Sequence, residues 1–234
     1  MTRGSVRELM DKAVWKVRRR VSPNERFREF YLRGTWGGTE SASGPGSSME
    51  ETRVLRRALP EVIEDLSVHS LLDIPCGDFH WMQHVDLSSV EYVGADVVPE
   101  VVAANAAFSA PNISFRTLDV MSDTLPTVDL VLCRDCLPHF SLRDVRRALD
   151  NIVASGSTYL LTTTFTDRQV NSDIKTGDFR ALNLEQEPFA LPPPLRLFNE
   201  ECTLYDHALM DKSIGLWRVD DVRSALARSH ERRP

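Results

Sequence analysis

Short apolar segments alternate with amphipathic segments along the middle of the chain. Runs of apolar, often β-branched residues predict five strands, at residues 71–74, 92–96, 113–118, 128–133 and 158–164. Apolar positions at helical spacing predict helices between them, at residues 79–85, 99–108 and 141–153. Ser141 precedes the last of these, and Asp144 follows three residues later, as in an N-terminal cap. The alternation predicts an α/β fold with a doubly wound, mostly parallel sheet, which binds ligands at the carboxyl ends of its strands.

The pattern changes after the fifth strand. Residues 166–194 are polar and proline-rich without a clean period, and such a segment in a compact domain is usually functional or disordered. Its scattered apolar residues favour an ordered structure. Residues 195–198 and 213–219 predict an antiparallel hairpin that brings the sheet to seven strands, and residues 220–227 predict a last helix. Residues 228–234 are expected to form a disordered tail.

Two helices are predicted near the N-terminus. Residues 3–21 place apolar residues at helical spacing with basic residues between them. This helix either covers part of the core or lies on an anionic membrane or a partner. Ser22, Pro23 and Asn24 end it, and residues 25–32 predict a second, shorter helix with aromatic residues on its inner side.

Residues 36–48 are rich in glycine and serine, a composition typical of flexible linkers. Two features favour an ordered binding loop instead. Trp36 is a residue that usually finds a surface to cover. Ser48 followed three residues later by Glu51 resembles a capping box that begins a helix ending near Ile63.

Length and composition describe an ordinary globular domain. The chain has 234 residues, of which 42% are hydrophobic and 26% are charged. We expect residues 1–50 to form an N-terminal helical extension with the glycine- and serine-rich loop, and residues 51–227 to form the main domain. No apolar run approaches the roughly 18 residues of a membrane span, and the N-terminus lacks a signal-peptide core. A cytoplasmic location is therefore expected.

The net charge of −6 is unevenly distributed. Residues 1–34 carry ten basic and four acidic side chains, a net charge of +6, so the rest of the chain carries −12. An acidic body argues against nucleic-acid binding, which needs a basic face.

The four cysteines are too few and too scattered for a disulfide framework. Cys133 and Cys136 have the spacing of a zinc-binding pair, but no second pair of ligands accompanies them. We interpret them as the end of a buried strand, and no metal site is expected.

The most informative chemistry lies at residues 73–78, where the first strand ends in Asp73 and a proline and a glycine follow at once. This pattern is typical of a buried strand that opens into a tight ligand-binding loop. The second strand ends in Asp96, 23 residues later. That distance is close to the roughly 20-residue step that leads to the ribose-binding acid in nucleotide-binding βαβ units. Gly77 is the lone glycine of the loop, so the fingerprint for NAD is missing.

The sequence DIPCGD at residues 73–78 resembles the first motif of class I S-adenosylmethionine (SAM)-dependent methyltransferases, in its Pro-Cys-Gly variant. The resemblance covers residues 71–219, although Pro75 and Phe79 stand where the common family pattern has glycines. The chain is more similar still to a bacterial branch of the family. Members of that branch share further stretches with it, at residues 36–41, 43–48, 134–136 and 183–189. The resemblance implies a Rossmann-like sheet, SAM as the cofactor and methyl transfer as the reaction.

The resemblance also implies how SAM is held. Asp73 organises the loop and the amino end of the methionine part, Asp96 accepts hydrogen bonds from both ribose hydroxyls, and Asp119 holds the adenine amino group. From the residues alone, Asp73 also suits a helix cap and Asp119 a turn. The predicted cofactor-binding residues are Asp73, Pro75, Cys76, Gly77, Asp78, Asp96, Val97, Asp119, Val120 and Arg134.

Residues 134–139 leave the fourth strand where methyl acceptors dock in the family that the chain resembles. His139 is the best candidate base, because the ordinary pKa of histidine is about 6.5; alternatively it ties the loop to the backbone. Asp135 is predicted to orient the imidazole or the acceptor, and Arg134 either clamps an anionic acceptor or pairs with an acid. The predicted catalytic residues are His139 and Asp135, and the predicted substrate-binding residues are Trp36, Arg134, Asn171 and Arg180, with Asp173 and Asn183 as further polar candidates.

The predicted function is methyl transfer from SAM to a small polar acceptor, preferably a hydroxyl oxygen of a saccharide or secondary metabolite. N-methylation is the alternative within enzymes. A SAM-binding subunit without catalytic activity is the alternative outside them. Its contact with a partner, or with a second copy in a homodimer, would be the basic N-terminal helix.

Overall fold

The computed structural model describes residues 22–231. The predicted helix at residues 3–21 and the end of the predicted tail, residues 232–234, lie outside the described residues.

Within the described residues, seven strands form one sheet. The strands are β1 (Ser70–Asp73), β2 (Glu91–Asp96), β3 (Ile113–Thr117), β4 (Leu130–Cys133), β5 (Tyr159–Phe165), β6 (Arg196–Asn199) and β7 (Lys212–Arg218). Their order across the sheet is β3-β2-β1-β4-β5-β7-β6. The first five strands are parallel, whereas β7 runs antiparallel to both β5 and β6. The predicted fold class, a doubly wound and mostly parallel sheet with an antiparallel C-terminal hairpin, is confirmed.

The position of β1 determines where a ligand can bind. From β1 the chain continues to β2 and β3 on one side of the sheet, and then to β4 and β5 on the other. In a doubly wound sheet a crevice opens at such a switch point, outside the carboxyl ends of the two central strands. These ends are Asp73 of β1 and Cys133 of β4.

Five α-helices occur in the part of the chain that the structure describes. They are α1 (Pro23–Arg33), α2 (Arg53–Asp65), α3 (Pro99–Asn105), α4 (Leu142–Ala154) and α5 (Val219–Glu231). The core divides at the sheet into two clusters, because successive strand side chains point to opposite faces. Leu71 packs in the cluster that includes α2, and its neighbour Leu72 packs in the cluster that includes α4 and α5.

The two C-terminal helices pack against each other at a defined point. α4 begins at Ser141 as predicted, with the Ser141 hydroxyl accepting a hydrogen bond from the Asp144 N–H at 3.2 Å. Arg146 of α4 donates to the Leu226 carbonyl at 2.9 Å and to the Ser229 hydroxyl at 2.7 Å. These bonds hold the last turns of α5, and residues 228–231, which were expected to be disordered, are therefore helical.

Two local predictions are wrong. The region expected to be a helix at residues 79–85 contains a short 3₁₀ turn at Met82–His84. Phe79 has a φ of +58°, in the left-handed region that an α-helix cannot use. In this conformation its ring packs against Tyr92 and Phe115, with ring centroids at 5.4 Å and 5.1 Å.

The second wrong prediction is the capping box expected at Ser48. The Ser48 hydroxyl does accept from the Glu51 N–H at 3.3 Å, but the Glu51 carboxylate accepts from the N–H of Thr203 at 3.1 Å instead of returning to Ser48. α2 then begins five residues after Ser48, at Arg53. A complete capping box is found at the start of α1, between Ser22 and Glu25.

Residues 166–194 are ordered by two buried asparagines. The Asn171 amide donates to the carbonyls of Asn183 at 2.8 Å and Glu187 at 2.9 Å, and its oxygen accepts from the Asn183 N–H at 2.9 Å. Asn183 in turn donates to the carbonyls of Thr166 at 3.3 Å and Arg168 at 2.9 Å. Buried backbone groups need partners, and here side-chain amides supply what a helix or strand would supply elsewhere.

None of the helices within residues 22–231 has the length and apolarity that crossing a bilayer requires.

Asn171→Ala is expected to lower the free energy of unfolding by about 1–3 kcal/mol, because it leaves buried carbonyls without donors. Urea denaturation followed by circular dichroism measures this change. Asn199→Ala is the control, since Asn199 is exposed and its amide donates to the Met210 carbonyl on the surface; its effect should stay within about 0.5 kcal/mol. Equal losses in the two variants would contradict the role of Asn171.

Candidate functional site

Two buried carboxylates lie side by side where β1 and β2 end. Asp73 is 2% exposed and Asp96 is 7% exposed. Gly77 follows Asp73 in the chain, has a φ of +55° and donates its N–H to Asp96 Oδ2 at 3.3 Å. A Cβ on Gly77 would lie 2.3 Å from the Ser43 hydroxyl, so the position needs glycine both for its backbone and for space.

Burial dominates the electrostatics of both carboxylates. It raises the pKa of Asp73 to about 7, although a hydrogen bond from the Tyr92 hydroxyl at 2.8 Å acts in the opposite direction. It raises the pKa of Asp96 to about 6, against hydrogen bonds from the N–H groups of Val98 and Gly77. Carboxylates desolvated in this way gain from a ligand that brings hydrogen-bond donors or positive charge.

The other predicted residues of this loop are held by the protein itself. Asn105 of α3 donates to the Gly77 carbonyl at 2.7 Å and lies 3.7 Å from the Cys76 sulfur. Burial raises the pKa of the Cys76 thiol well above its usual value. Pro75, two residues after Asp73 in the chain, is half-buried. Sequence reasoning missed Asn105, whose only signal is its place on the helix that follows Asp96.

The glycine- and serine-rich loop lies on this motif and is anchored to it. The Asp78 carboxylate accepts hydrogen bonds from the Ser41 hydroxyl at 2.9 Å, the Ala42 N–H at 2.7 Å and the Ser43 hydroxyl at 3.2 Å. The Asp78 N–H donates to the Ser43 hydroxyl at 3.0 Å. Trp36 packs its ring at 5.9 Å from the ring of Phe30 in α1. The loop therefore has the contacts of an ordered element. The Asp78 carboxylate binds this loop, and Trp36, which belongs to it, packs on α1.

Helix α1 lies over the ends of β2, β3 and β4. Asn24 donates to Asp119 Oδ2 at 3.1 Å, and Arg28 forms an ion pair with Glu100 at the start of α3. Phe27 packs at 5.9 Å from Phe140, beyond β4. The Asp119 carboxylate also accepts from the Met121 N–H at 2.8 Å, as a turn aspartate does. Beside these residues, Val97 is half-buried and Val120 belongs to the core.

A network of four charged side chains lies at the carboxyl end of β4, and we refer to Arg134, Asp135, Glu200 and Lys212 as the β4 charge network. Arg134 donates to Glu200 at 2.7 Å and pairs with Asp135 at 3.1 Å. Lys212 pairs with Asp135 at 2.7 Å and with Glu200 at 3.3 Å. Arg134 also donates to the Gly46 carbonyl at 3.0 Å, which ties the N-terminal loop to the network. Arg134 thus follows the alternative of pairing with acids.

Asp135 is held as a carboxylate. Burial opposes its ionisation, but the charges of Arg134 and Lys212 outweigh burial and keep its pKa well below the usual range. Its φ is +50°, and its N–H donates to the Thr163 hydroxyl at 2.9 Å. Lys212 and Glu200 escaped sequence reasoning; the signal was a lysine at the start of an otherwise apolar strand.

His139 lies in a 3₁₀ turn, Leu137–His139, that follows β4. Its Nδ1 is 3.1 Å from the Asp178 carbonyl, and because a carbonyl can only accept, Nδ1 must carry the proton. The lone pair of the neutral ring is therefore on Nε2. Burial lowers the pKa of His139 and so favours the neutral ring at pH 7. The charge of the Asp135 carboxylate acts in the opposite direction. The bond to Asp178 ties the turn to the backbone, and it also prepares Nε2 to accept a proton.

The remaining predicted acceptor residues differ in what their side chains do. The amides of Asn171 and Asn183 are used by the backbone, as described above. Asp173 accepts from the Leu142 N–H at 2.7 Å and so caps α4. Arg180 is buried, and only part of its guanidinium has partners. Among residues 22–231 no group of three or more histidine, cysteine, aspartate or glutamate side chains is arranged to hold a metal ion.

Comparison with known proteins adds the fold family. No protein-family model and no curated protein matches the sequence. Among solved structures, the chain is similar to N-methyltransferase NodS from Bradyrhizobium japonicum WM9, with 16% identity, 74% of this chain and 98% of that chain covered, and a TM-score of 0.56. It is also similar to human N-acetylserotonin methyltransferase in complex with SAM, with 15% identity, coverage of 89% and 65%, and a TM-score of 0.58.

A third similar structure is the [4+2]-cyclase SpnF, with 18% identity, 90% of this chain and 83% of that chain covered, and a TM-score of 0.57. At identities this low, the likeness concerns the fold. The chain has the fold of the class I SAM-dependent methyltransferases.

Proposed function

We propose that this protein binds SAM across the carboxyl ends of β1 and β2 and transfers its methyl group to a small polar acceptor beside His139. The observation that carries the proposal is the pair of buried carboxylates, Asp73 and Asp96, on either side of a glycine loop. A second support is that one similar structure contains SAM and another, of NodS, contains S-adenosylhomocysteine (SAH).

The residues present fit the chemistry of SAM. Asp96 is suited to accept from the two ribose hydroxyls, since a carboxylate can receive two parallel hydrogen bonds. Asp73 would neutralise the ammonium of the methionine part. Gly77 lets the backbone approach the ligand without a Cβ. Asp119 remains the candidate for the adenine amino group, with Asn24 of α1 as its neighbour.

The acceptor side supplies proton transfer and orientation. When bound, SAM supplies an electrophilic methyl group on its sulfonium. Nε2 of His139 would take the proton of the acceptor hydroxyl as the carbon–oxygen bond forms, leaving a methyl ether and SAH. Asp135 is too weak a base for this step, because the charges of Arg134 and Lys212 hold its pKa well below the usual range. Its carboxylate would orient the acceptor and stabilise the imidazolium.

A hydroxyl oxygen of a saccharide or secondary metabolite is the acceptor we prefer, because a neutral histidine is useful for removing its proton. N-methylation is the alternative, since an amine can arrive with its lone pair available. The similar structure of a cyclase shows that this fold also hosts other reactions. A SAM-binding protein without methyl transfer is therefore the candidate from another class.

Asp96→Asn is expected to weaken the binding of SAH by about 1.5–3 kcal/mol, the usual scale for losing a hydrogen bond to a charged group. Isothermal titration calorimetry measures the affinity. Glu91→Gln is the matched control, because Glu91 lies at the exposed opposite end of the same strand, and its affinity should match the wild type. Unchanged affinity in Asp96→Asn, or tight binding of NAD, would rule out the proposed cofactor site.

The affinity for SAH should rise with pH. The folded-state pKa values of Asp73 and Asp96, about 7 and about 6, lie above the ordinary value of 3.8, so both groups are partly protonated in mildly acidic solution. A protonated carboxyl cannot neutralise the ligand's ammonium. Binding at pH 5 should therefore be weaker than at pH 8 by roughly tenfold or more.

The same shifts predict the stability of the ligand-free protein. A raised folded-state pKa contributes stability below pH 3.8 that is lost as pH rises through about 6 and about 7. The increase in melting temperature caused by SAH should therefore be larger at pH 8 than at pH 5.5. Equal increases at both pH values would show that these carboxylates do not contact the ligand.

His139→Ala should lower the production of SAH from SAM, in the presence of a metabolite extract, by about 10²–10⁴-fold. Its affinity for SAH should be unchanged, because the histidine acts on the acceptor. The wild-type rate should rise with pH through a pKa below the ordinary histidine value and level off above that pKa, since burial lowers the pKa of His139.

His84→Ala is the control, because His84 is an exposed histidine in another 3₁₀ turn. If SAH affinity falls as much as turnover in His139→Ala, the histidine is structural. A flat pH profile would favour an amine acceptor.

A further inference from the structure

In the described part of the chain, Arg180 is a buried cation with hydrogen-bond partners at only one of its three guanidinium nitrogens. Arg180 is 6% exposed. Its Nη1 donates to the Phe140 carbonyl at 2.6 Å and, at 3.4 Å, to the Pro138 carbonyl. Its Nε and Nη2 are buried without any hydrogen-bond partner. A buried donor without an acceptor costs free energy, and a charged donor costs more.

Arg180 also lacks a counterion among residues 22–231, where no carboxylate lies within 4.0 Å of its guanidinium. Asp173 is the acid that attracts it most, but the Asp173 carboxylate accepts from the N–H groups of Leu142 at 2.7 Å and Ile174 at 2.9 Å. Burial lowers the pKa of Arg180 to about 10, so the group remains charged at pH 7. Other arginines of this region are paired: Arg134 with Glu200 and Arg168 with Asp211.

The two nitrogens without partners present their N–H groups in a specific geometry. Nε–H and Nη2–H point from the same edge of the planar guanidinium and form two parallel donors. This fork matches the two oxygens of a carboxylate or of a phosphate group, and such charge-assisted pairs are among the stronger hydrogen bonds in proteins. A water molecule can satisfy one donor, but it does not neutralise the charge.

Arg180 is joined to the turn that carries His139. Its backbone N–H donates to the Pro138 carbonyl at 3.1 Å, and its side chain donates to Phe140, on the other side of His139. The His139 ring is fixed in turn by Asp178, two residues before Arg180. The β4 charge network contains two cations and two anions and is neutral as a whole. Arg180 is therefore the unbalanced charge on this side of the site.

We propose that Arg180 binds an anionic group, a carboxylate or a phosphate monoester, of the methyl acceptor through its Nε and Nη2 edge. The anion site itself follows from the contacts of Arg180, while its assignment to the acceptor rests on the proposed function. An anion site at Arg180 would limit the methyl acceptors to molecules that carry both a nucleophilic group and a negative charge. The carboxylate of SAM is the other source of the same chemistry, and the experiment separates the two.

The test is a titration of the full chain, saturated with SAH, with inorganic phosphate and with acetate as probes. The Nε–H signal of Arg180 in a ¹H–¹⁵N spectrum, assigned through its own side chain, reports directly on the edge formed by Nε and Nη2. We expect a saturable downfield shift of this signal with at least one of the two anions. Arg180→Lys keeps the charge but loses the fork, and its affinity for that anion should fall by about tenfold or more.

Arg168→Lys is the matched control, because Arg168 lies on the same segment but its charge already has a counterion, with Nη2 at 2.6 Å from the Asp211 carboxylate. Its anion affinity should equal that of the wild type. Arg180→Lys should bind SAH as the wild type does. If Arg180→Lys does not fold, Arg180→Gln replaces it, and the wild-type titration is independent of both.

Two results would overturn the proposal. No saturable shift with either anion would mean that the edge has no anion to bind. A shift produced by SAH alone, which then blocks both probes, would assign the site to the carboxylate of the cofactor and not to the acceptor. Failure of SAH to bind at all would contradict the proposed function instead, and titration of the ligand-free protein would still test the anion site.

Discussion

The carboxyl end of β4 is organised by the β4 charge network, in which Arg134, Glu200 and Lys212 are buried and Asp135 is partly exposed. Taking these charges out of water is expensive, and each has an oppositely charged partner at 2.7–3.3 Å that offsets part of the cost. Removing one member would leave its partner buried and uncompensated. The network therefore fixes the relative positions of β4, of β7 and of the residue that follows β6. Through Gly46 it also fixes the N-terminal loop.

This network makes the two halves of the candidate site electrostatically different. On the cofactor side, burial is the largest influence on Asp73 and Asp96 and raises their pKa values, and the charge of Asp96 adds to this effect at Asp73. On the acceptor side, Asp135 is half-buried, but Arg134 and Lys212 lower its pKa. Aspartate side chains therefore differ between the two halves. Asp73 and Asp96 are suited to a ligand that brings hydrogen-bond donors, whereas Asp135 stays ionised.

The N-terminal segment connects the two halves. The loop at residues 41–43 binds the Asp78 carboxylate, next to the cofactor motif. Gly46 meets Arg134, on the acceptor side, and α1 reaches Asp119 and Phe140. Because these contacts come from one continuous piece of chain, a change in the loop would be felt by both halves of the site.

The sequence alone determined the sheet, the hairpin and the carboxylates at the ends of β1 and β2. These features depend on local information: the period of apolar residues, a cap such as Ser141, and the spacing between Asp73 and Asp96. The roles of the buried polar side chains were decided by the tertiary structure. Whether Arg134 binds a ligand or an acid depends on Glu200, 66 residues away in sequence, and no local pattern specifies that pairing.

The same limit explains the other differences. Phe79 has a left-handed conformation in which its ring meets aromatic rings of β2 and β3. Glu51 binds Thr203, 152 residues further on, and does not complete its expected cap. Asn171 was a candidate for binding the acceptor, but the buried carbonyls of a long irregular segment use its amide. Arg180 could be recognised as half-paired only when its neighbours were known. Local periodicity encodes which residues are buried, whereas the partner that each buried polar group finds is decided when distant segments pack together.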